Sequence, residues 1–189
     1  MWEQSPSQTV GPFFHYGLIY GGENILVNEN TRGERIRITG QVLDGDDKPI
    51  PDAMVEIWQA DAQGYFNHPA DPNFENADPH FRGFGRADTR NDGAYWFETV
   101  KPGSVIAPDG TRQAPHVNVR VFARGMLIHA DTRLYFADEA ANAGDTLLQT
   151  IDPARQHTLF AVRVPDAPDK TYRFDIHLQG SDETVFFQL

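Results

Sequence analysis

Strict two-residue alternation is the feature that most limits what this chain folds into. In R-I-R-I-T-G-Q-V-L-D, residues 35–44, Ile36, Ile38 and Val42 fall on one side, and Arg35, Arg37, Thr39 and Gln41 on the other. Successive side chains of a strand point to opposite faces, so such a run makes a half-buried strand whose dry face needs a second layer. M-V-E-I-W-Q-A, H-V-N-V-R-V-F-A-R-G, M-L-I-H, T-R-L-Y-F, Y-R-F-D-I-H-L-Q-G and E-T-V-F-F read as further strands. G-F-G-R-A-D-T, the turn R-N-D-G and A-Y-W-F-E-T-V read as a hairpin. Many short strands between Gly and Pro turns predict a mainly all-β fold, a β-sandwich. A length of 189 residues suits one domain, residues 1–189, with a real core. Helix is expected only near residues 137–159, where Asp152 is placed to cap a helix that begins at Pro153. The polar, Pro-rich segment 67–79 is too long for a plain turn, and lies over a site, at a subunit contact, or simply on the surface.

Charge and composition exclude several functions. Acids outnumber bases 27 to 16, for a net charge of −11, which disfavours nucleic acid and anionic membrane as partners. Without cysteine there is no disulfide framework and no thiolate metal site. The start M-W-E-Q-S-P-S-Q has neither a basic nor an apolar leader pattern, so a cytoplasmic location is expected. No nucleophile elbow, Walker loop, dinucleotide fingerprint or H-E-x-x-H is present.

The residues with chemical potential are few. A-P-H-V-N-V, residues 114–119, aims His116 and Asn118 at one face of a strand. A strand histidine is more often held by hydrogen bonds than bound to metal, and both readings stand at this point. Tyr65, at a strand end, is either a phenolate ligand or an amphipathic residue at the core edge. His68, His80 and His116 form a conceivable separate set, of a kind that suits Zn or Fe(II) better than Fe(III). A binding module of transthyretin-like type, without any chemistry, is the reading from another class.

Ordered blocks running through nearly the whole chain carry a resemblance. T-V-G-P-F-F at residues 9–14, D-G-D-D-K-P-I-P-D-A-M-V-E-I-W-Q-A-D-A-Q-G at 44–64, G-R-A-D-T-R-N-D-G-A-Y-W-F-E-T-V-K-P-G at 85–103, A-P-H-V-N-V at 114–119 and Y-R-F-D-I-H-L-Q-G at 172–180 resemble the intradiol ring-cleaving dioxygenases. The resemblance implies a β-sandwich of that type. It also implies chemistry on a non-haem Fe(III), which the family's catalytic chains hold with two tyrosines and two histidines. Transferred position by position, those slots hold Phe66, Val105, His116 and Asn118 here. Tyr65 comes one place early, and strand alternation would aim it away unless a bulge re-aims it. Val and Phe offer no donor, and a neutral amide suits Fe(III) poorly.

The resemblance therefore implies a chain with no metal and no catalytic residue of its own. It points to the non-catalytic subunit of a two-chain member, paired with a homologous iron-bearing catalytic subunit and built into a larger symmetric assembly. Residues 1–16 would form an arm toward that partner, with Thr9, Gly11 and Pro12 reaching its pocket. Arg133 resembles an arginine near that pocket, where a guanidinium attracts a substrate carboxylate. Its bland alternative is an ion pair with Asp131 or Asp138. Phe13, Phe14, Phe66 and Val105 serve either the former ligand site or the subunit interface.

Overall fold

The alternation of residues 35–43 is realised as strand β1, Arg35–Leu43, with Ile36, Ile38, Gly40 and Val42 buried and their neighbours only partly so. The computed structural model describes residues 16–188. The expected arm, with Thr9, Gly11, Pro12, Phe13 and Phe14, lies outside the described residues. The remaining strands are β2 (Met54–Trp58), β3 (Phe84–Asp88), β4 (Ala94–Val100), β5 (Val105–Ile106), β6 (Arg112–Gln113), β7 (His116–Phe122), β8 (Ala130–Phe136), β9 (Phe160–Arg163), β10 (Thr171–Arg173) and β11 (Ile176–His177).

Among the described residues, nine strands hydrogen-bond along one mixed path, β11-β1-β10-β9-β8-β7-β2-β3, with β4 added on β1. The path turns over at β9, which pairs antiparallel with β10 on one side and parallel with β8 on the other. The inward faces of β1, β4 and β10 thus meet those of β2, β7 and β8. Ile38, Phe97, Val55, Val119, Phe136 and Tyr172 belong to the shared core. Burying one large apolar side chain is worth about 1.5–3 kcal/mol, so this interior fixes the architecture. Gly40 is required by close approach: a Cβ there would sit 1.8 Å from the Phe174 carbonyl oxygen. The same oxygen accepts from the Tyr95 hydroxyl at 2.6 Å.

Four local expectations need correction, one of them E-T-V-F-F, which makes a single bridge from Phe187 to Asp131 rather than a strand. β3 and β4 are not a hairpin, because β3 pairs with β2 and β4 with β1. The turn R-N-D-G is a single helical turn, Arg90–Gly93, that carries the chain from one layer to the other. Buried Thr89 holds that corner, donating to Ile50 O at 2.6 Å and accepting from Ala53 N at 2.9 Å. Segment 126–129 is a connection rather than a strand, and exposes Leu127 and Ile128. The expected helical segment exists, but Asp145 caps its α-helix, Thr146–Thr150, by accepting from Leu147 N and Leu148 N. Asp152 instead closes a turn onto Ala154 N, ahead of the 3-10 helix Gln156–Leu159. Asp145 wins because both of its oxygens find amides, whereas Pro153 removes one donor after Asp152.

Candidate functional site

β7 places His116 and Asn118 on the outward face of its sheet, opposite the core face of Val117, Val119 and Val121. Antiparallel register sets Tyr135 across from His116 and Arg133 across from Asn118. Directly opposed residues interact most strongly in such a pair. Here the interaction is a hydrogen bond from Arg133 Nε to Asn118 Oδ1 at 3.0 Å. Arg133 Nη1 also reaches Gln113 Oε1 and the Tyr135 hydroxyl, each at 3.5 Å.

Two loops raise walls around this face and leave a cleft of roughly 940 Å³. The first follows β2. Buried Asp61 accepts from Gln63 N and Tyr65 N with one oxygen, and from Asp78 N with the other. Gly64 then turns with φ +92°, and a Cβ there would lie 2.1 Å from Ser104 O in the second loop. Only glycine allows both the backbone conformation and this approach. The second loop contains Val105 and the small β5–β6 ribbon.

All four positions singled out by the family resemblance, Phe66, Val105, His116 and Asn118, line this one cleft. Arg133 lines it too, and so does part of the long loop around His68 and Asp71. Tyr65 also lines it, contrary to the alternation argument. β2 ends at Trp58, so Tyr65 and Phe66 belong to a loop where strand alternation does not operate. Phe66 stacks on Trp58 at 5.6 Å and 12° between planes, and His68 meets the same indole edge-on. Arg133 pairs with neither Asp131 nor Asp138. Asp131 is engaged by Arg120 and His129, and Asp138 by Lys101 and Tyr172.

His116 is 3% exposed. Its Nδ1 lies 2.8 Å from the Ala114 carbonyl, which only accepts, so Nδ1 carries the proton and Nε2 is the basic nitrogen. Burial, and then the Arg133 charge, hold its pKa down to about 4, against weaker upward pulls from the Ala114 hydrogen bond and Asp145. The imidazole is neutral at pH 7. Tyr135, pushed up to about 12 chiefly by burial, stays a neutral phenol and donates to Asp145 at 3.3 Å. Sequence reasoning missed Asp145, which ties the helical segment to the site strand through Ala114 N at 2.8 Å. Its signal was present: a capping-type residue directly before T-L-L-Q.

The donor set does not fit Fe(III). Phe66 and Val105 are hydrocarbon. The Asn118 oxygen is already occupied by a guanidinium, and that guanidinium places a positive charge where a trivalent cation would have to sit. His116 and Tyr65 are donor types that iron accepts, but two are half the required set. Among the described residues, no three His, Cys, Asp or Glu side chains converge, so His68, His80 and His116 form no separate centre. No helix among these residues is long and apolar enough to cross a membrane.

A family model described as "Dioxygenase" matches residues 10–180. The chain is 44% identical to the protocatechuate 3,4-dioxygenase alpha chain of Pseudomonas putida, over 97% of its own length and 96% of that chain. It is 32% identical to the protocatechuate 3,4-dioxygenase beta chain of Burkholderia cepacia, over 89% of its length and 79% of the relative. Among solved structures, the dioxygenase domain of a carbohydrate-binding fusion from Streptomyces sp. SirexAA-E superposes with a TM-score of 0.64 at 25% identity, covering 95% of this chain and all of that one.

Proposed function

We propose that this chain, which belongs to the intradiol dioxygenase family, is the non-catalytic half of its enzyme and completes the active site of an iron-bearing partner. It is an alpha-type subunit of protocatechuate 3,4-dioxygenase, and its similarity to a beta chain of such an enzyme supports pairing with a homologous beta-type chain. The enzyme cleaves protocatechuate, 3,4-dihydroxybenzoate, with O2 between its hydroxyl-bearing carbons to give 3-carboxy-cis,cis-muconate. In this reading the non-haem Fe(III) is bound by the beta subunit, where it acts as a Lewis acid on the catecholate.

One observation carries the assignment of roles. The positions that would hold iron here are Phe66, Val105 and an Asn118 already bonded to Arg133, with His116 the sole survivor. The proposed contribution of this chain is structural. Residues 1–16 form the arm, in which Thr9 offers a hydroxyl and Gly11 and Pro12 allow a close, fixed approach to the beta subunit's pocket. Arg133, expected near that pocket, is held by its hydrogen bonds in this chain's own cleft. A homologous permanent pair buries a large, dry interface, and the heterodimers assemble further by symmetry. A cysteine-free chain of this kind fits the cytoplasm.

The test is oxygen uptake with protocatechuate by the co-expressed pair, comparing the native alpha chain with one lacking residues 1–12. The reading expects the pair to assemble with iron retained and turnover sharply reduced. Unchanged turnover would remove the arm from the active site.

A further inference from the structure

The cleft of this chain has an unspent positive charge. Arg133 is half-buried, and every acceptor it meets is neutral: the Asn118 and Gln113 amides and the Tyr135 phenol. Those bonds use Nε and Nη1, so the Nη2 hydrogens find no acceptor among the described residues. A guanidinium has five donors in a rigid fork suited to a carboxylate. Nearby acids are all engaged elsewhere. Asp145 accepts from the Leu147, Leu148 and Ala114 amides, and Asp71, at the cleft wall, from Phe66 N and Asn73 N. Arg112, on the same cleft, also has no ion-pair partner among the described residues. Charge-assisted bonds to a partly desolvated cation are about twice as strong as neutral ones, so an entering anion has more to gain here than at an exposed arginine.

The walls define the rest of the ligand. Phe66 lies flat on Trp58, and Val105, Ile106 and Pro108 line the opposing loop. A volume of roughly 940 Å³ falls in the usual range for small-molecule sites, which pair apolar walls with few polar anchors. We propose that this cleft is a binding site for a small aromatic carboxylate, with the carboxylate on the Arg133 fork and the ring against Phe66 and Val105. The inference rests on the reading that the cleft holds no iron. It adds a second, non-catalytic ligand seat to the enzyme.

The probe is 4-fluorobenzoate, followed by fluorine NMR on the full chain co-purified with its beta partner. Ligand near high-spin Fe(III) relaxes fast, whereas ligand in an iron-free cleft relaxes slowly, so the two sites are distinguished in one titration. The expected result is a saturable, slowly relaxing population of one equivalent per alpha chain. Arg133→Gln should weaken it at least about tenfold, Arg133→Lys less, and the neutral isostere 4-fluorobenzamide should not displace it. Val105→Trp, at the apolar wall of the cleft, should abolish it, and an unchanged circular dichroism spectrum checks that each variant is folded. Absence of the slow population, indifference to Val105→Trp, or equal competition by the amide would overturn the proposal. A fast-relaxing signal in the alpha chain purified alone would instead overturn the iron-free reading beneath it.

Discussion

The two faces of β7 obey different rules. Inward, Val117, Val119 and Val121 are buried against the opposite layer and have no polar option. Outward, His116, Asn118 and Arg120 find partners on the next strand or beside it: Ala114 O, Arg133 and Asp131. The inner face is fixed by packing, where any change of volume or polarity is felt. The outer face is fixed by pairing, and paired groups admit replacement as long as the replacements satisfy one another. A fold of this family can therefore hold its architecture while its outer-face chemistry changes.

The contrast breaks most severely from the inside. Val121→Asp would leave a carboxylate unpaired between the layers, a loss of more than about 4 kcal/mol, and urea titration or yield of folded protein should show it at once. Asp145→Ala attacks the link between the site strand and the helical segment. It removes a helix cap and orphans the buried Ala114 amide, so a loss of about 2–4 kcal/mol is expected from urea midpoints.

Acid should expose the outer face next. Because the His116 pKa lies near 4 in the fold against 6.5 when free, the unfolded chain takes up the proton first. That contribution is whole above pH 6.5 and is lost as pH falls toward 4, a change of roughly 3 kcal/mol from this residue. Urea midpoints between pH 7 and 4 should fall less steeply for His116→Gln than for the native chain. The smallest effect is expected from Asn118→His. It restores one ligand type but leaves Phe66, Val105 and the Arg133 charge in place, so iron content should stay unchanged and stability should move by about 1 kcal/mol.

How far the sequence was legible follows the same division. Alternation in residues 35–43 predicted the buried face of β1 residue by residue, because one dry face leaves a two-residue period no freedom. The partners of β3 and β4 were not legible. Strands adjacent in sequence look identical whether they pair or cross between layers, and only the partners of β3 and β4 tell them apart. At the site, His116 and Asn118 were readable as one face. The Asn118 contact with Arg133 was not, since it depends on the β7–β8 register. Alternation does not extend to Tyr65, because β2 ends at Trp58 and the following loop is governed by Asp61 and Gly64.

This chain is proposed to carry the family fold without the family's metal. Iron content and visible absorption should be measured on the chain purified alone, and again after co-expression with its beta-type homologue. A colourless, iron-free chain and a red-brown pair that consumes oxygen with protocatechuate are expected. Stoichiometric iron with a tyrosinate-to-iron band in the chain alone would contradict it, and would point to Tyr65 and His116 as the start of a ligand set.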